Sequence, residues 1–183
     1  MKTSGKLLLT GLIATIVLVG ASLTSVSAQE NALSERHINH IRDNCVSAKN
    51  TLSQLHASDA LLRVNRGQLY ESISTKLMSR FNTRVSNNGF NNSDLVSVTT
   101  GYGRTLDAFR SSYQTYEEQL SVALRIDCQK NPTQFYEAVA SARTKRSQVN
   151  SDIIRLNRYI DDYQKAVEAL EKDINQADRS IQG

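Results

Sequence analysis

Residues Pro132–Ile181 read PTQFYEAVASARTKRSQVNSDIIRLNRYIDDYQKAVEALEKDINQADRSI. Through them runs one stripe: Phe135, Val139, Ala142, Arg146, Val149, Ile153, Leu156, Ile160, Tyr163, Val167, Leu170, Ile174, Ala177, Ile181. Steps of four and three alternate without a break, and only Arg146 is not apolar. That spacing is the a/d seam of a heptad, which an α-helix presents when it packs lengthwise against partner helices. The chain therefore reads as all-α: an elongated antiparallel three-helix bundle with coiled-coil-like heptad packing.

Two further helices are expected. The first spans about residues 33–85, with Ile38, Ile41, Cys45, Ala48, Leu52 and Leu55 in the same alternation. Its phase slips where Asp59 and Arg66 occupy seam positions. Gly67 costs about 1 kcal/mol in a helix interior, so a bend is expected near Ser58–Gly67. Ser86–Asn92 (SNNGFNN) is a turn, because Asn and Gly supply left-handed conformations. Ser93 is expected to cap the second helix, about residues 93–126, with Asp94 at its positive end. Gly101 and Gly103 weaken its start. A second break at Asp127–Pro132 ends in Asn131-Pro132, a cap followed by proline at the first helical position. The third helix covers about residues 132–181.

Short breaks between long amphipathic helices imply antiparallel neighbours. A register that sets Val85 opposite Ser93 leaves Cys45 and Cys128 about five residues out of step. That offset is roughly 7 Å along a helix, within reach of chain tilt and the loop after helix two. A Cys45–Cys128 disulfide is expected at this end. In the same register helix three outruns helix one, and Ile174, Ala177 and Ile181 project beyond the Asn-rich turn as a candidate interaction overhang. At the other end Leu33, Ile38 and Ile41 extend past the cysteines. Such unpaired apolar stripes mark contacts with another chain or fraying ends.

The first 28 residues belong to a different class of segment. Lys2 and Lys6 precede an apolar run from Leu7, and Val26-Ser27-Ala28 places small residues before Gln29. This pattern describes a secretory signal peptide; the other reading is an uncleaved anchor over residues 7–26, roughly the length that spans a bilayer. Residues 29–183 form a single helical domain. Removing Lys2 and Lys6 from 22 basic residues leaves 20 against 18 acidic ones. Such a balance gives no electrostatic case for nucleic acid. The leader points to a secreted or extracytoplasmic location, where disulfides persist.

Few residues suggest chemistry. His37 and His40 lie three apart with Glu35 and Asp43 nearby, which reads as a solvated face, not a metal site. Arg143, Lys145 and Arg146 are expected to pair with Glu117 and Glu118 on an antiparallel second helix. Arg63 and Arg66 read as a polar layer that sets register. Tyr102, Tyr113, Tyr116, Tyr136, Tyr159 and Tyr163 mostly follow the seam, with hydroxyls near the surface. Asn91-Asn92-Ser93 matches a glycosylation sequon in a turn. No nucleophile elbow, P-loop, dinucleotide fingerprint or zinc-protease motif is present, and Asp161-Asp162 falls on a solvated face. No catalytic residue, cofactor or metal is expected, and the chain reads as non-enzymatic.

DALLRVNRGQLYESISTKLMSRFNTRV (residues 59–85) and IDCQKNPTQFYEAVASARTKRSQVN (residues 126–150) resemble small exported helical proteins of ultrasmall, Saccharibacteria-type candidate-phyla bacteria. The resemblance spans most of residues 44–167. It implies an exported helical domain on a cell with one cytoplasmic membrane, and it brings no activity, cofactor or functional residue. The leading expectation is an extracytoplasmic or cell-surface interaction or scaffold protein, engaging an unknown protein partner or itself through helix overhangs. The alternative is a binding or sensor module for a small ligand, lipid or cell-wall polymer. A cavity with convergent polar groups separates the two, since only the binding module needs one.

Overall fold

The structure, a computed structural model, describes residues 33–181. The leader over residues 1–28, cleaved or retained, lies outside the described residues. Those described are helical between short connections, with no strand among them. They form α1 (Glu35–Asp43), α2 (Cys45–Ser72), a π-helical segment (Ile73–Met78), α3 (Ser79–Asn87), α4 (Ser93–Arg125) and α5 (Pro132–Ile181). No described helix is long and apolar enough to cross a membrane.

The expected first helix is interrupted, but not where Gly67 suggested. Ser58–Gly67 is regular α-helix, because a glycine in open space costs propensity without changing geometry. The breaks fall at Asn44 and at Ile73–Met78. Asn44 leaves helical geometry (φ −101°, ψ 9°), and its Nδ2 donates to the His40 carbonyl at 2.9 Å. The π segment is a wider turn that takes up an extra residue. Buried phenols bond carbonyls just before it and at its last residue: Tyr102 donates to Tyr70 O at 3.0 Å, and Tyr163 donates to Met78 O at 3.2 Å.

Two cap details also differ from expectation. Asn92, not Ser93, precedes α4, and its side chain makes no capping bond. The Asn91 carboxamide oxygen accepts from the Ser93 N–H at 3.0 Å instead. Before it, Gly89 takes φ 77°, and the Phe90 and Gly89 amides close on the Val85 and Ser86 carbonyls. This is a Schellman end, which glycine adopts without a Cβ penalty. Ahead of α5, Asp127 accepts from the Gln129 and Lys130 amides. Those amide bonds, Lys130's foremost, hold its carboxyl below the usual carboxylate range.

Burial follows the sequence stripe on α5 unevenly. Phe135, Ala142, Val149, Leu156 and Tyr163, seven residues apart, are buried, whereas Val139, Ile153, Ile160 and Val167 are half-buried. On α4 the buried apolar positions Tyr102, Leu106, Phe109, Tyr113, Tyr116, Leu120 and Ala123 keep the four–three alternation. These two faces make the main core, to which α2, the π segment and α3 add Tyr70, Met78 and Val85. Burying one such large apolar side chain contributes about 1.5–3 kcal/mol. Gly101 on α4 makes room for a neighbour, since a Cβ there would sit 2.5 Å from the Tyr159 ring unless that ring moved.

Contacts reverse direction between neighbours. Asp59 meets Tyr116 and Asn82 meets Thr99, so α2–α3 and α4 run antiparallel. Gln119 reaches the Ala138 carbonyl while Gly101 faces Tyr159, so α4 and α5 do too. Cys45 and Cys128 lie at disulfide distance, with Cα atoms 5.6 Å apart, beside Phe135 in a second small core. Ile41 packs on that core, and Gln129 Nε2 donates to the Arg42 carbonyl at 2.8 Å. At this point, then, the expected N-terminal overhang is covered by the start of α5. At the far end Leu170 packs on the main core, Ile174 is half-buried and Ala177 is exposed. The side chain of Ile181 lies outside the described residues.

Candidate ligand-binding site

Along α2 the buried positions are Cys45, Asp59 and Tyr70. Between the last two, the turns facing α4 and α5 carry Leu62, Arg63 and Arg66. A guanidinium is too costly to bury unpaired, so this stretch cannot close like an apolar seam. A cavity of about 450 Å³ lies there between α2, α4 and α5. Its deep wall is buried Phe109, Tyr113 and Tyr116 from α4 with Val149 from α5. Exposed Arg66 from α2 and Arg143, Ser147 and Asn150 from α5 form the rim. The last three recur at steps of four and three, which puts them on one face of α5.

At one end of the cavity sits a closed polar layer. Asp59 is buried, and its Oδ2 accepts from the Tyr116 hydroxyl at 2.7 Å and from Arg146 Nε at 3.0 Å. Arg146 Nη2 also reaches Asp59 Oδ1 at 3.3 Å. The hydrogen bond to Asp59 holds the Arg146 guanidinium still more firmly protonated. Burial, and then the Asp59 bond, push the Tyr116 phenol well above the ordinary tyrosine range. Three helices are tied through one carboxylate.

Beside it, Arg63 pairs with Glu117 at 2.8 Å and lies 5.3 Å above the Tyr113 ring. Tyr113 is buried as a residue, but its hydroxyl reaches solvent and has no hydrogen-bond partner among the described residues, unlike those of Tyr102, Tyr116 and Tyr163. Burial foremost pushes its phenol up to about 12, so it is a neutral donor at physiological pH. Four guanidiniums and one carboxylate line the cavity. Asp59 takes Arg146 and Glu117 takes Arg63. Arg66 and Arg143 make no ion pair among the described residues.

The expected pairing of the α5 basic cluster needs correcting. Arg146 pairs with Asp59 and not with Glu117 or Glu118, because Glu117 is taken by Arg63 and Glu118 by Gln114. Arg63 does form a polar layer, whereas Arg66 stands at the rim. The tyrosine hydroxyls are not generally near the surface. Those of Tyr102, Tyr116 and Tyr163 are buried against internal acceptors, while Tyr136 is exposed. His37 and His40 serve the ends of α1, bonded to Ser34 Oγ and Asn44 Nδ2. No group of three or more His, Cys, Asp or Glu among the described residues is placed to hold a metal.

Three buried polar residues, Asn82, Thr105 and Asp152, escaped sequence reasoning. Asn82 donates to Thr99 at 2.9 Å and accepts from Tyr163 at 2.6 Å. Asp152 is fully buried, bonded by Gln148 and Arg155 through Oδ1, with Oδ2 lacking a partner among the described residues. Asp59, by contrast, was legible: it and Arg146 are oppositely charged exceptions in the stripes of two helices expected to pack together. No protein-family model, curated protein or solved structure matches this chain.

Proposed function

We propose that this chain is an exported, non-enzymatic ligand-binding module, built as an antiparallel three-helix bundle with heptad-like packing and clamped by a Cys45–Cys128 disulfide. The observation that carries the reading is the cavity between α2, α4 and α5, where apolar depth and convergent polar groups occur together. Its volume falls within the range of ligand pockets, and a few placed polar groups over an apolar floor is how such pockets orient a guest. Export rests on the leader and on the cysteine pair, which suits an oxidising compartment. A fragment screen by two-dimensional amide NMR tests the reading. Bound fragments should shift the amides of Tyr113, Ser147 and Asn150 together. If every fragment leaves those signals in place, the cavity is only a packing defect. A mature N-terminus at Gln29 is the matching result for export.

The interaction-scaffold reading keeps one support: Leu61, Val64, Leu69 and Leu77 stand exposed along α2 and the π segment. Self-association lost on deleting residues 171–183, which carry Ile174, Ala177 and Ile181, would place it at the α5 end. An unchanged oligomer would remove that overhang from consideration.

A further inference from the structure

The ligand class follows from the charge left over in the cavity, and the inference rests on the binding reading above. Asp59 and Glu117 consume the charges of Arg146 and Arg63. Arg66 and Arg143 remain, from opposite walls, at a rim that also offers the Ser147 hydroxyl and the Asn150 amide. Unpaired guanidiniums sharing a concavity repel each other and favour a shared anion. Guanidinium geometry matches phosphate oxygens, which accept two parallel N–H bonds. Below the rim lie an aromatic floor of Phe109 and Tyr113 and a phenol with no internal partner. A fully hydrated inorganic ion would leave that floor unused, and a neutral apolar guest would leave the guanidiniums uncompensated.

We propose that the α2/α4/α5 cavity binds an organic phosphate monoester, its dianion held by Arg66 and Arg143 and its apolar body seated on Phe109 and Tyr113. The two positive charges of these guanidiniums balance the two negative charges of the monoester. The Tyr113 hydroxyl, a donor without a partner, adds a hydrogen bond to the ester or phosphate oxygen. Electrostatic capture at an exposed rim weakens with salt, because the screening length falls to about 8 Å at physiological ionic strength.

Isothermal titration of the mature domain with phenyl phosphate and hexyl phosphate tests this, with inorganic phosphate and benzyl alcohol as the separated halves. At least one ester should bind tenfold or more tightly than either half, and more weakly at higher salt. Arg66→Gln with Arg143→Gln should reduce ester affinity at least tenfold while the melting temperature stays put, since neither residue is ion-paired. Tyr113→Phe should weaken it severalfold. Unchanged ester affinity in the double arginine variant overturns the proposal. So does benzyl alcohol binding as tightly as the esters, although the cavity then survives as a binding site for neutral guests. No binding of any of the four removes both the proposal and the binding reading beneath it.

Discussion

Two stretches of the molecule answer the same problem in opposite ways. Around Asp59–Arg66 and around Tyr70–Val85, polar side chains sit where the helices would otherwise meet through apolar ones. In the second stretch the Asn82 side chain and two carbonyls find internal partners: Asn82 bonds Thr99 and Tyr163, and the carbonyls of Tyr70 and Met78 accept buried phenols. That layer closes, and Tyr70, Met78 and Val85 are buried around it. In the first stretch Asp59 satisfies Tyr116 and Arg146, Arg66 and Arg143 find no ion pair among the described residues, and a cavity remains between the helices. A polar layer therefore seals or opens an interface according to whether its donors and acceptors balance.

The largest effect expected concerns the end nearest the open stretch. Replacing both Cys45 and Cys128 by Ser should cost about 4–5 kcal/mol in chemical denaturation, from the loop-closure entropy of an 83-residue separation. Hydrogen exchange should then speed up more over residues 45–66 than over residues 70–85; uniform acceleration would erase the contrast. Next comes Asp59→Ala, which strands the Tyr116 hydroxyl and the Arg146 charge. A loss of about 2–3 kcal/mol is expected, below the figure for a fully buried pair because Arg146 is about half exposed. Tyr163→Phe in the closed layer should cost about 1–2 kcal/mol by leaving Asn82 Oδ1 and Met78 O short of a donor. Were Tyr163→Phe the costlier of the two, the ranking of the layers would invert.

Alkali should unfasten both stretches. Folding holds the Tyr113 and Tyr163 protons up to about pH 12, whereas an unperturbed phenol loses its proton near 10. The folded state thus binds more protons through this window, so stability is intact below pH 10 and falls as pH rises toward 12. Phenolate absorbance should lag behind that of free tyrosine and appear together with the loss of helix. The smallest effect is a gain: Gly67→Ala, in open space within α2, should stabilise by up to about 1 kcal/mol, whereas Gly101→Ala must first displace the Tyr159 ring. Thermal melts of the two variants would distinguish a tolerated glycine from a required one.

Much of the helical plan was visible in residue spacing. The α5 stripe from Phe135 to Leu170 marks the less exposed face apart from Arg146, and the Asn-Gly turn and the Asn-Pro start fall where expected. Spacing assigns residues to faces, however, and does not say which residue of a neighbour each one meets. That is why Arg146 seemed destined for Glu117 when Asp59 held the better position, and why Arg66 and Arg143 could not be seen to share a cavity. The π segment was invisible for a related reason. ISTKLM contains no proline, glycine or other breaker, and the phenols that bond the carbonyls of Tyr70 and Met78 come from α4 and α5, far away in sequence. Gly101 looked like a weakness in α4 because the ring it accommodates belongs to a residue 58 positions away.

Covalent topology adds a last consequence to the cysteine pair. A bond between Cys45 and Cys128 makes a ring of the chain that contains α2, the π segment, α3, the Asn-rich turn and α4, and leaves α1 and α5 as its two tails. A protease that cuts the exposed turn at Asn88–Gly89 opens the ring without releasing a fragment. A cut within α5 detaches everything beyond it. The wall carrying Arg66 and Tyr113 thus stays in one covalent piece under attack at the turn, whereas a cut between Cys128 and Arg143 leaves the wall carrying Arg143 held by packing alone.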